Sequence, residues 1–153
     1  MGKYLITSVN LGSSALVYTK IDEIVLVHKT IPFDGVEYLN ICVGNGAISS
    51  TTSLDLTDQT LERLKEAGKT LIKGAMFFDE NQEIKNAIDI QTHNDTVYDA
   101  WIVADSIKSI QFHASNKKEH NGKSYYPAVG FFRTPVYLTT ESASELKKFL
   151  SNA

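Results

Sequence analysis

Polar and apolar residues alternate with a two-residue period through much of the chain, and this period predicts strands. Lys3–Asn10 alternates, Leu11-Gly12-Ser13-Ser14 carries turn chemistry, and two apolar, β-branched runs follow over 15–21 and 23–31. Pro32-Phe33-Asp34-Gly35 predicts a turn and Val36–Val43 another strand. Asn45-Gly46 is the strongest two-residue hairpin signal in the chain, and it leads into the polar-faced run 47–56.

The period then changes to helical. Leu61, Leu64 and Ala67 share one face, Thr57 or Asp58 is placed to accept first-turn amides, and Gly68 can end the helix, which is expected near 58–67. Residues 70–78 predict a further strand or a weak continuation of the helix through Gly68, and Asp79-Glu80-Asn81-Gln82 a turn joining two parts of the chain. Beyond it, 97–113 predicts one or two strands, 114–124 a polar hairpin loop, and 124–132 and 134–139 two more strands. A closing helix is expected near 140–151, with an apolar stripe of Ala143, Leu146, Phe149 and Leu150. Ser142 and Glu145 have capping-box spacing.

The two parts match in order. Leu16, Val17, Ile21 and Ile24 fall on Ile102, Val103, Ile107 and Ile110 at one constant spacing, and Val43-Gly44 falls on Val129-Gly130. The helical segments also align, Leu61 on Ala143 and Leu64 on Leu146. These matches predict an internal duplication of a β-rich unit ending in a short helix. The first unit would span 1–78 and the second 84–153. The expected fold is mainly β (β-rich α+β): two small half-open barrel or sheet units, or one compact body with pseudo-twofold symmetry. The expected core is Leu16, Val17, Ile21, Ile24, Val43, Leu61, Leu64, Trp101, Val103, Ile107, Ile110, Val129, Leu138 and Leu146.

Composition changes this picture little. The chain has 153 residues, of which 42% are hydrophobic and 22% charged, enough apolar material for a packed core and too much for a disordered chain. The net charge of −3 is spread over both parts, so neither is a broad basic footprint for nucleic acid. The single cysteine, Cys42, lies in an apolar run and reads as a buried small hydrophobe, which excludes a disulfide framework within the chain. No stretch is apolar for the length of a membrane span, and the first residues lack the apolar run of a signal peptide. A soluble protein of the cytoplasm, or of a virus particle assembled in a cytosol, is the expectation.

Candidate chemistry is sparse. Gly44-Asn45-Gly46 is not followed by the residues of a phosphate-binding loop and reads as a hairpin turn. His28, His93, His113 and His120 contain no helical zinc-binding pair, although His113 and His120 could approach across the second hairpin loop. No nucleophile motif occurs, and neighbouring acids such as Asp22-Glu23 point to opposite sides of a strand. No catalytic residue, metal or cofactor is therefore assigned. One stretch carries a recognisable chemistry: Lys117, Lys118, Lys123, Tyr125, Tyr126 and, further on, Arg133 combine phosphate-neutralising groups with rings on which bases stack. Phe77-Phe78 and Phe131-Phe132 each put one ring outward if on a strand, which would mark a protein contact, and burial on both faces between the two units is an equal alternative. The leading expectation is a non-enzymatic structural or interaction protein in a homo-oligomer or larger assembly. Nucleic-acid binding through the Lys/Tyr loop is the alternative. A small ligand held in a groove between the units is the second alternative.

Overall fold

The computed structural model describes residues 3–10, 14–30, 37–44, 47–79, 95–130 and 135–152. The chain starts with a hairpin, β1 (Tyr4–Asn10) and β2 (Ser14–Lys20), which ends in a 3₁₀ turn at Ile21–Glu23. A three-strand meander follows: β3 (Ile24–Thr30), β4 (Tyr38–Val43) and β5 (Ala47–Ser53). A second 3₁₀ turn, Leu54–Leu56, runs straight into helix α1 (Thr57–Glu66). The second half opens with the hairpin of β6 (Leu71–Asp79) and β7 (Asp95–Val103), followed by a 3₁₀ turn at Ala104–Ser106. Then come β8 (Ile110–Phe112), β9 (Lys118–His120), β10 (Lys123–Gly130), β11 (Val136–Leu138) and helix α2 (Thr140–Ser151).

The protein is mainly β, and all its strand pairs are antiparallel. Among the described residues, nine strands form one sheet in the order β5-β4-β3-β7-β6-β11-β10-β8, with β9 on the end of β10; β1 and β2 form a separate two-stranded sheet. The sheet is open, with no closed barrel among the described residues. The β6–β7 hairpin lies between the two meanders, pairing β7 with β3 and β6 with β11.

The helices cover sheet faces rather than plugging ends. Successive strand residues point to opposite faces. Accordingly, Val27, Leu39, Ile41 and Val103 join Leu61 and Leu64 of α1 in one core cluster. Leu26, Cys42, Ile72 and Ile102 belong to the other cluster, with Leu138 and Leu146 of α2. The β6–β7 hairpin contributes to both. Leu71 and Trp101 turn toward the first cluster, and Ile72 and Ile102 toward the second.

Local chemistry explains the boundaries. Gly68 takes φ +86°, and the amides of Gly68 and Lys69 donate to the carbonyls of Lys65 and Leu64 at 2.9 and 3.1 Å, which ends α1. The N-terminus of α1 differs from expectation. Thr57 does not cap it; its hydroxyl donates to the Leu54 carbonyl at 2.6 Å, because the preceding 3₁₀ turn already brings that carbonyl within reach. In α2 the cap is Thr139, whose Oγ1 accepts from the Ser142 amide at 3.1 Å.

Of the expected core, Ile21, Ile24, Leu61, Leu64, Val103, Leu138 and Leu146 are buried. Val17, Val43, Trp101, Ile107, Ile110 and Val129 are half-buried. Leu16 is 65% exposed and is not a core residue. Its strand parity places it opposite Ser8, on the face of β1–β2 turned away from the body.

Candidate interaction surface

The β1–β2 hairpin has one buried and one exposed face. Across the hairpin, Leu5 pairs with Thr19 and Thr7 with Val17; Leu5, Thr7 and Thr19 are each at most 5% exposed. Their face lies toward β5 and α1, where Leu5 and Thr7, together with Tyr4 and Ile6, line a cavity of about 400 Å³ with Thr52, Thr60 and Arg63. The opposite face carries Tyr4, Ile6, Leu16 and Tyr18, which are 47%, 56%, 65% and 60% exposed. Ile6 and Tyr18 are direct cross-strand partners, while Tyr4 pairs with Lys20. Single exposed apolar residues are ordinary, but four on one face of one hairpin make a contiguous patch. Among the described residues, Ile48 on β5 is the one other large hydrophobic side chain so exposed.

The Lys/Tyr stretch folds as the β9–β10 hairpin. Asn121 and Gly122 both take positive φ, 52° and 78°, and His120 pairs with Lys123 across them, a two-residue turn that matches the strand twist. Lys118 pairs with Tyr125. On that face Phe77 of β6 stacks edge-on with Tyr137, Tyr125 and His120, at centroid distances of 5.0, 5.6 and 6.4 Å. The Lys118 ammonium lies 5.7 Å from the centre of Phe77 and 6.0 Å from that of Tyr137. Tyr126 points to the other face. There it lines a cavity of about 320 Å³ with Phe112, Leu138, Ala143 and Lys147. Lys117 is 3.6 Å from Glu119, and Lys123 is exposed. The hairpin thus brings Lys118 and Tyr125 together and separates Tyr126 from them. Arg133, with Phe131 and Phe132, lies outside the described residues.

Among the described residues the histidines are not gathered. His120 belongs to the aromatic cluster, His113 is exposed, and His28 is buried in β3, where burial holds its imidazole below the usual value; His93 lies outside the described residues. Cys42 is 1% exposed and unpaired by disulfide. Among the described residues, no group of three or more acidic, histidine or cysteine side chains is placed to hold a metal ion, and no helix is long and apolar enough to cross a membrane.

The sequence alone misses the hairpin patch, because Leu16 looks like a core residue until the pairing is known. The signal was available in part: Leu5, Thr7, Val17 and Thr19 form an equally plausible inner face of the same two strands. No protein-family model, no curated protein and no solved structure matches the chain.

Proposed function

We propose that this is a non-enzymatic interaction protein that works through its surfaces, in an assembly of copies of itself or of a larger kind such as a virus particle. The observation that carries this reading is the apolar outer face of the β1–β2 hairpin. Covering Tyr4, Ile6, Leu16 and Tyr18 removes apolar surface from water, at about 25 cal/mol per Å² before the costs of association.

We also read the two halves as a duplicated unit. Each runs hairpin, 3₁₀ turn, three-strand meander and helix, with β9 as an addition to the second. The likeness extends to hydrogen bonds. The Ile21 amide donates to Lys3 and the Ala104 amide to Thr70, each at 2.9 Å. In this correspondence Ala104 takes the place of Ile21 and Ile107 that of Ile24, which replaces the sequence register that set Ile21 on Ile107 and Ile24 on Ile110.

Nucleic-acid binding has weaker support. It asks for cations free to meet phosphates and rings free to meet bases. Here Lys117 has a carboxylate beside it, Lys118 lies over Phe77 and Tyr137, and Tyr125 packs edge-on against Phe77. A ligand groove between the halves is also weakly supported, since β3 and β7 are directly hydrogen-bonded there.

Light scattering on a sizing column, with absorbance read at protein and nucleic-acid wavelengths, tests the proposal. The expected result is a multiple of the 17.0 kDa chain mass with a protein-like spectrum. A monomer at high concentration that retains no partner would overturn it. Nucleic-acid absorbance that high salt removes would put the Lys/Tyr hairpin first.

A further inference from the structure

Among the described residues, two strand edges of this β architecture carry no neighbouring strand, and they are complementary. At one end, β2 has no strand on its outer edge among the described residues; at the other, β8 ends the nine-stranded sheet. The chain contains its own pattern for joining such edges. Within it, β7 pairs antiparallel with β3, Trp101 opposite Val27 and Ile102 opposite Leu26. This seam lets the β6–β7 hairpin close the first core: Ile24 and Val27 are both 0% exposed.

The two 3₁₀ turns fix which residues correspond. With Ala104 in the place of Ile21, Trp101 corresponds to Tyr18 and Asp99 to Leu16. On the receiving side, Ile107, Ile110 and Phe112 take the places of Ile24, Val27 and Lys29. The second core therefore lacks what the first has. Ile107 and Ile110 are half-buried, as are Ala143 and Phe149 of α2. The cavity lined by Phe112, Ala143 and Lys147 lies beside them. Meanwhile Tyr18, the counterpart of the half-buried Trp101, stands 60% exposed.

We propose that the β2 edge of one copy adds antiparallel to the β8 edge of the next, Tyr18 opposite Ile110 and Leu16 opposite Phe112. The hairpin's apolar face then lies over the half-open core beside α2. This rests on the self-assembly reading above and specifies its interface. Side-chain complementarity supports a second copy as the occupant. The internal seam is bridged by Lys29 and Asp99 at 3.6 Å; the positions that correspond to them are Phe112 and Leu16, an apolar pair. Each seam is matched within itself, and a crossed pairing would set Lys29 against Leu16. Strand addition also satisfies the backbone groups of both edges. Because the two edges differ, the contact is head-to-tail, and it gives a ring where the rotation per copy closes and a filament where it does not.

Two pairs of variants test this. Copies carrying Tyr18→Cys and copies carrying Ile110→Cys, mixed and oxidised, should give a disulfide-linked heterodimer on a non-reducing gel, and neither should do so alone; Cys42 is too buried to compete. Leu16→Asp and Phe112→Asp each leave one edge intact, and their two altered edges repel each other. Each should weaken self-association at least ~10-fold, yet a mixture should form a 1:1 dimer through the two intact edges. Circular dichroism of each variant confirms folding, and the cysteine pair serves if Phe112→Asp does not fold. A wild-type oligomer that gives neither the cross-linked nor the 1:1 heterodimer overturns this edge pairing while leaving self-assembly standing. A monomeric wild type overturns both.

Discussion

His28 is a buried imidazole, 7% exposed, whose Nδ1 lies 3.3 Å from the Lys29 carbonyl. Burial lowers its pKa, and the backbone contact opposes this only in part. The unfolded chain therefore takes up a proton at the ordinary value of about 6.5 while the folded chain still refuses it. This residue does not reduce stability above that value. Below it stability falls, by up to about 1.4 kcal/mol per pH unit, until the folded imidazole also protonates. Urea midpoints from pH 7.5 down to pH 5 should show this loss, and His28→Gln should flatten it; an unchanged slope would assign the loss to other groups. At this scale much of the core was legible, since Ile24, Leu61, Leu64 and Leu146 stand out by period alone. Leu16 was not, because both faces of β1–β2 carry apolar side chains and only pairing tells which is turned inward.

Elements were legible wherever one residue type is forced by the backbone. Gly68 ends α1 with φ +86°, and the expected helix bounds fall within a residue of α1 and α2. The order of the strands in the sheet was not legible, because the β3–β7 and β6–β11 contacts join segments distant in the chain. Gly74 marks one such contact. A Cβ there would lie 2.8 Å from Leu138 Cδ2, 2.9 Å from Val136 Cγ1 and 3.0 Å from the Tyr137 carbonyl oxygen. Only a bare backbone on β6 allows β11 this close. Gly74→Ala should cost about 1–3 kcal/mol, the range for forcing atoms into a filled core. The denaturant midpoint should drop at an unchanged m-value, and an unchanged midpoint would mean that β11 gives way freely.

Across the whole molecule, the β1–β2 hairpin is held differently from every other strand. It forms its own two-stranded sheet and meets β5 through side chains, with the Thr19 and Ser49 hydroxyls 3.2 Å apart. The buried hydroxyls of Thr7, Ser50 and Thr52 find no hydrogen-bond partner among the described residues, and such groups weaken a contact by about 1–3 kcal/mol each. The nine-stranded sheet, by contrast, is laced by backbone bonds on both sides of β3, β4, β6 and β7. Opening the hairpin should therefore require less free energy than opening the central sheet. In dilute protein, amide hydrogens of β2 should exchange well before those of β4 and β7. Head-to-tail pairing adds a second condition. It engages the outer edge of β2, so raising the protein concentration should slow exchange in β2 and β8 together and leave β4 unaffected. Slowing confined to β2 would point to a partner other than β8, and a β2 as slow as β4 at every concentration would make the hairpin an integral part of the body.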